Sequence, residues 1–330
     1  FARHETFHPR FSWFRKSFVA AATDNQIFNR EDATVRLGVG KNMVRSLRFW
    51  GTAAHFIVDQ QDPEHPRTNL SCPTNSGVAF LAPGGLDPYM EDNATWWWLH
   101  WLLLSPGSRL PVWWIILHEL SLIELEEATL ELACQQTLEA STWNAPNESS
   151  TNKDISAFLR TYAAPSSTRG KFDDQFGCPL RDLGLLAPSP SGGHRLATSQ
   201  PTTLPATVVV AALLDYAVLG DTTANTVSLA RLATESGAPG RAFRLTDAEL
   251  VDMVESVVDQ VDELTLTSPA GAPQLGWRDE PVKIAEALMA SHYGHAEPLP
   301  PLVGHQARQA NTDPLVALHL GADARNTMVS

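Results

Sequence analysis

The chain has 330 residues, 43% of them hydrophobic and 18% charged. That composition excludes a disordered polymer and allows two or three compact units of roughly 100–200 residues each. Cys72, Cys134 and Cys178 lie far apart with no CxxC spacing, which excludes a disulfide framework and gives no zinc signature. The net charge of −13 argues against a nucleic-acid partner until its distribution is read. Residues 1–58 hold nine Lys and Arg against four Asp and Glu, a balance of +5, and the remainder holds 15 against 33, a balance of −18. A phosphate backbone senses the field within about 10 Å at ordinary salt, so a basic amino-terminal unit can bind it while the rest repels it.

The first residues, FARHETFHPR, are polar and basic where a secretory signal needs an apolar run, so a cytoplasmic chain is expected. Phe11, Phe14, Phe18 and Ala22 set a helical stripe with Arg15 and Lys16 on the other face. Arg30–Leu37 predicts a short second helix broken at Gly38, and Lys41–Val58 a long third helix. Pro63, Pro66 and Pro73 forbid regular helix. Ser76–Leu81, closed by Pro83-Gly84-Gly85, predicts a short strand and turn. Three helices, a proline-rich excursion and a strand make the order of a winged helix.

Asp87-Pro88-Tyr89-Met90-Glu91-Asp92 reads as a loop ending in an N-cap before a Trp-rich helix. Trp96–Leu104 and Val112–Leu117 each fall short of the roughly 20 apolar residues of a membrane span and are predicted to be buried core, with no membrane association. Val112–Ala140 predicts helix, Asn144–Ser150 a polar loop, Asp154–Tyr162 a helix and Pro165–Gly170 a loop. Pro188–Pro205, rich in Ser, Gly and Pro, predicts the main linker. Beyond it come apolar Val208–Val218, a helix at Ser228–Glu235, and a capping box at Thr246-Asp247-Ala248-Glu249 that starts another helix. Leu264–Thr267 and Gln274–Trp277 predict a two-stranded wing. The expected fold is mainly α with short β wings. It divides into a winged helix-turn-helix DNA-binding domain at 1–85, a helical middle domain at 86–187, a linker at 188–205, a second winged-helix-like unit at 206–295 and a poorly ordered tail at 296–330.

The informative stretch is Leu37-Gly38-Val39-Gly40-Lys41-Asn42-Met43-Val44-Arg45-Ser46-Leu47. A helix-turn-helix needs a tight turn so that two helices cross closely, and Gly38 supplies it. Val39, Val44 and Leu47 fit the inward face, and the small residue expected four places before the glycine is Thr34, with Ala33 one place early. Lys41, Asn42, Arg45 and Arg48 then face outwards at the start of the recognition helix, where double-stranded DNA is met. Arg10, Arg15 and Lys16 add positive charge to the same unit. The bland alternative is a surface helix with solvated basic residues.

His4, Glu5 and His8 offer two imidazoles and a carboxylate for a divalent metal, or a brace for the following helix. Asp87, Glu91 and Asp92 offer carboxylates to a hard cation such as Mg²⁺, or caps for the helix dipole. His100 sits in a helix apolar on every side and reads as a satisfied core histidine. There is no Walker A loop, GxGxxG, HExxH or GxSxG, which excludes the common motif-bearing enzymes but not nucleases, whose carboxylates scatter.

The stretches FARHETFHPRFSWFRK, REDATVRLGVGKNMVRSLRFW, GGLDPYMEDNATWWWLHWLLL, CPLRDLGLL and PGRAFRLTDAEL resemble a bacterial family catalogued as domain of unknown function 4007, over Phe1 to about Tyr293. Genes of that family accompany sulfurtransferases in DNA phosphorothioation and phage-defence operons, and a member is described as DNA-nicking. The resemblance implies a cytosolic endonuclease that opens one DNA strand for sulfur insertion. It implies sulfurtransferase and ATPase partners, and a homodimer is a further expectation. The resemblance carries over no catalytic residue. Phosphodiester hydrolysis needs a positioned water and charge stabilisation, most simply from Mg²⁺ on carboxylates, which points to Asp87, Glu91 and Asp92 as catalytic and metal-binding candidates. The rival readings are a non-catalytic adaptor that recruits the sulfur-transfer machinery, and a transcriptional regulator. The large acidic remainder counts against the regulator.

Overall fold

Large apolar residues at helical spacing organise the amino-terminal elements. The computed structural model describes residues 1–142, 146–164, 177–190, 192–197, 201–220 and 224–311. In it α1 (Trp13–Thr23) buries Trp13, Phe14 and Phe18. Phe11, expected to open this stripe, precedes the helix and is 47% exposed. The expected second helix is shorter than predicted: a 3₁₀ turn at Ile27–Asn29 comes first, then α2 (Ala33–Leu37). Gly38 ends α2 at φ +61°, a left-handed conformation that costs other residues about 1–2 kcal/mol.

The third helix, α3 (Lys41–Ala53), stops before the expected Val58, because His55 takes φ +56° and turns the chain into β1 (Ile57–Gln61). β1 pairs antiparallel with β2 (Asn69–Pro73), Ile57 opposite Pro73 and Gln61 opposite Asn69. The proline-rich excursion is therefore a hairpin, with Pro63 and Pro66 in its loop. Ser76–Leu81, expected to be a strand, is instead helix α4 (Asn75–Leu81). The Thr74 hydroxyl caps it by accepting from the Gly77 N–H at 2.9 Å, and every residue from Ser76 to Leu81 is buried.

The Trp-rich α5 (Asn93–Leu104) is buried from Ala94 to Leu104 and capped by Asp92, as its composition demands. The expected continuous helix Val112–Ala140 is broken. α6 (Pro111–Trp114) runs into a π turn at Ile115–Glu119, an extended stretch follows with β3 (Glu124–Leu125), and α7 occupies Glu127–Ala140. α8 (Glu148–Tyr162) begins inside the expected polar loop, capped by Asn147.

β4 (Leu186–Pro188) and β5 (His194–Leu196) join β3 in a sheet of order β3-β5-β4, so residues expected to be linker supply its middle strand. α9 (Ala206–Leu219) is buried over most of its length. After β6 (Thr226–Ser228) come α10 (Leu229–Thr234), α11 (Pro239–Phe243) and α12 (Asp247–Val258), whose capping box from Thr246 is formed. The expected ribbon, β7 (Leu264–Thr267) and β8 (Gln274–Trp277), is present, with β6 added on the far side of β8. α13 (Pro281–His292) packs along α9, and α14 (Gly304–Ala307) follows with Leu302 and Val303 buried. Part of the expected poorly ordered tail is thus packed. Residues 312–330, the loop Pro165–Gly170, and residues 144 and 145 lie outside the described residues.

One apolar cluster runs through the chain from Trp13 to Val303. A smaller one, formed by Ala20, Ile27, Ala33, Leu37 and Val44, locks α2 between α1 and α3. Among the described residues no helix is long and apolar enough to cross a membrane.

Candidate nucleic-acid interface

The small cluster fixes the direction of α3. Ala33 is buried and takes the inward place that the spacing gave to Thr34, while Val44 and Leu47 are buried as expected. At the turn, Gly38 N–H donates to Val35 O at 3.3 Å and Val39 N–H to Thr34 O at 3.1 Å. These bonds satisfy carbonyls that the end of a helix leaves open. Extended Gly40 then starts α3 with Lys41 and Asn42 exposed.

Arg45 is exposed on the next turn, 3.4 Å from Glu5. Arg48 is half-buried: Nε donates to Asp59 Oδ1 at 3.1 Å and Nη1 to Asn29 Oδ1 at 3.4 Å. Asp59 also accepts from Ser71 Oγ at 2.8 Å, so Arg48 braces α3 against the hairpin. Arg10 lies over the Trp13 ring at 5.5 Å. Arg15 donates from Nε to Pro88 O at 2.8 Å and covers the Tyr89 ring at 4.8 Å. Lys16 is half-buried beside it, and burial lowers its ammonium pKa. The structure therefore brings Lys41, Asn42 and Arg45 together at the start of α3. It places Arg15 and Lys16 on a separate groove across α1.

The carboxylates of the Asp87–Asp92 loop are engaged with the chain itself. Asp87 Oδ1 accepts from Glu91 N–H at 3.0 Å, and its Oδ2 accepts from Asp92 N–H at 3.0 Å and Thr95 Oγ1 at 2.6 Å. Asp92 Oδ1 caps α5 through Ala94 N–H at 2.7 Å, with His292 Nε2 at 3.5 Å. Glu91 is exposed. Asp87 thus holds three donors, two of them on Oδ2. Among the described residues no three His, Cys, Asp or Glu side chains are grouped to hold a metal ion. In this geometry Asp87 and Asp92 act as caps for the loop and the start of α5, while Glu91 is exposed.

His4, Glu5 and His8 do not converge on a metal either. His4 Nε2 meets Asp154 Oδ1 at 2.6 Å, its ring stacks on Trp50, and Asp154 also accepts from Ala2 N–H at 2.8 Å, so this segment straps the amino terminus onto α8. His100 is a core histidine, bonded to Tyr162 OH at 2.8 Å and Ala242 O at 2.9 Å. Sequence reading missed the groove of about 680 Å³ between α1, the end of α2 and the Asp87 loop, edged by Phe11 and Tyr89. A signal was available: Tyr89 sits between Pro88 and Met90 in a turn that has no apolar face to bury it.

Two solved structures are similar over nearly the whole chain. The first, described as "SspB crystal structure", is 32% identical with a TM-score of 0.84, covering 99% of this chain and 94% of that one. The second, described as "Magnesium ion-bound SspB crystal structure", is 32% identical with a TM-score of 0.85, covering 99% and 96%. No curated protein matches the chain. The family model "Protein of unknown function (DUF4007)" matches residues 1–293, and the chain belongs to that family.

Proposed function

We propose that the chain is a DNA-binding component of a phosphorothioate DNA modification and phage-defence system. In this reading it opens one strand of a duplex for sulfur insertion. The observation that carries it is the α2–Gly38–α3 unit, with Lys41, Asn42 and Arg45 exposed at the start of α3 in the segment of positive charge balance. With α1 ahead of it and the β1–β2 hairpin behind, the unit reads as a winged helix-turn-helix within residues 1–85. Lys41 and Arg45 suit phosphates, and Asn42 suits an adenine edge in the major groove. The family resemblance and the likeness to SspB support the system, and the acidic remainder of the chain suits its protein partners. Each phosphate contact releases counterions, contributing about 0.9 to the slope of log K against log salt. Lys41→Ala with Arg45→Ala should therefore weaken duplex binding and flatten that slope by roughly 2. A folded double variant with the wild-type slope contradicts the assignment.

A second reading, the non-catalytic adaptor, is favoured by one observation: Asp87, the most buried carboxylate of the candidate loop, already holds three donors. Incubating purified protein with supercoiled plasmid, in Mg²⁺ and in EDTA, separates the two. Open circles that disappear in Glu91→Gln would reinstate the loop. Duplex binding without open circles in either buffer selects the adaptor.

A further inference from the structure

Five large apolar side chains among the described residues are clearly exposed, and three of them, Phe11, Val35 and Tyr89, line the same groove. Scattered singly, such residues need no explanation; gathered around one concavity, they mark a binding surface. The groove of about 680 Å³ lies within the usual span of ligand sites, about 300–1,000 Å³. Its charged lining is Arg15, Lys16 and Arg36, the last paired with Asp32 at 2.7 Å, against the carboxylate of Glu91. That is a local excess of positive charge in a chain of net charge −13.

The two rings are held open. Tyr89 is 61% exposed with the Arg15 guanidinium over it at 4.8 Å, and Arg15 is itself tied to Pro88 O. Phe11, 47% exposed, is braced against Trp96 with ring centroids 5.5 Å apart. Flat ring faces beside cations are the combination that takes unpaired nucleotides, since every base has a π-face and every nucleotide a phosphate. Two exposed rings favour nucleotides over an acidic peptide, because every nucleotide brings a base face to stack as well as a phosphate.

We infer that this groove binds an unpaired segment of single-stranded DNA, bases stacking on Tyr89 and Phe11 while Arg15 and Lys16 counter the phosphates. The inference deepens the reading of a strand-opening DNA-binding protein and rests on it. Gly38 lines the groove and also opens the turn into α3. A strand parted from a duplex held at Lys41 and Arg45 therefore reaches the groove without crossing the acidic remainder. Taking a base out of the stack costs energy that a ready stacking face returns.

The test is fluorescence anisotropy of the full chain with a labelled oligothymidylate and, separately, a labelled duplex. Phe11→Ala with Tyr89→Ala should weaken oligothymidylate binding roughly tenfold to a hundredfold and leave duplex binding at its wild-type value. Tyr89→Phe keeps the ring and should keep the single-strand affinity. Tyr89→Ala alone removes a side chain that supports no core, so its partial loss guards against a folding artefact from Phe11. Wild-type oligothymidylate affinity in the double variant, or no oligothymidylate binding by the native chain, overturns the inference. Failure of the duplex reading looks different: duplex binding then ignores Lys41→Ala and Arg45→Ala, whatever the single strand does.

Discussion

At the scale of single residues, the buried histidines are defined by what their neighbours can donate. His100 faces the Ala242 carbonyl through Nε2 and the Tyr162 hydroxyl through Nδ1. A carbonyl only accepts, so Nε2 carries the proton and Nδ1 takes the hydroxyl's hydrogen, which satisfies a neutral ring and leaves no site for a second proton. His118 is held on one side only, Nε2 donating to Leu104 O at 3.1 Å while its buried Nδ1 meets no hydrogen-bond partner. Burial holds both pKa values down to about 4, against about 6.5 in an unfolded chain. The stability they confer is complete above pH 6.5. It falls as the pH drops toward 4, because there the unfolded chain binds protons that the folded one refuses. Each histidine contributes a slope approaching about 1.4 kcal/mol per pH unit in that window. Urea midpoints should fall from pH 6.5 to pH 5, above most carboxylate titration, and less steeply in His100→Gln by about one proton. Equal slopes in the two proteins would show that His100 titrates normally in the fold.

At the scale of elements, legibility follows the range of the forces involved. The start of α3, the Asp92 cap and the capping box at Thr246 were legible because each is set within about one turn of chain, the burial of α5 because its composition is apolar throughout, and the β7–β8 ribbon because one short loop joins its strands. Elements decided at long range were not. The β3-β5-β4 sheet pairs Leu125 with His194, and nothing local to either announces the other. Ser76–Leu81 was misread because a short apolar run fits strand or helix equally until its surroundings choose. Here Gly77 lies so close to the Phe56 carbonyl that an added Cβ would stand 2.2 Å from it, a packing contact invisible in sequence. The end of α3 turned on His55 at positive φ, a conformation that a histidine does not advertise. The candidate site divides the same way. The exposure of Lys41, Asn42 and Arg45 at the start of α3 was legible from spacing. Arg48 was withdrawn by Asp59 on the hairpin, and the Asp87 carboxylate was claimed by backbone N–H groups whose positions only the folded loop defines.

At the scale of the whole molecule, the two ends of the described chain are tied through one buried carboxylate. Asp215, on α9, is 1% exposed. Its Oδ1 accepts from Gly304 N–H at 2.6 Å; its Oδ2 accepts from Trp101 Nε1 at 2.7 Å and Arg308 Nη2 at 3.3 Å. Arg308 reaches on to Pro106 O and Ser105 Oγ, both at 2.9 Å. This joins α5, α9 and the segment around α14, and that segment in turn holds the amino-terminal unit. Asn75 Nδ2 donates to Gln306 O at 2.9 Å, and Asn311 N–H to Pro73 O at 2.8 Å. Removing the carboxylate would leave the Arg308 cation and two N–H groups buried without their acceptor, a loss that typically costs about 3–5 kcal/mol. Asp215→Ala should therefore lower unfolding stability by that amount in urea titrations. It should also expose residues 302–311 to proteolysis before the rest of the chain opens, since those residues lose their anchor while the Trp-rich core keeps its own packing. Asp215→Asn retains one acceptor and the shape, and should fall between. A loss below about 1 kcal/mol in Asp215→Ala, the size of one ordinary hydrogen bond, would mean that packing of Leu302 and Val303 alone seats the segment and that Asp215 does not tie the ends together.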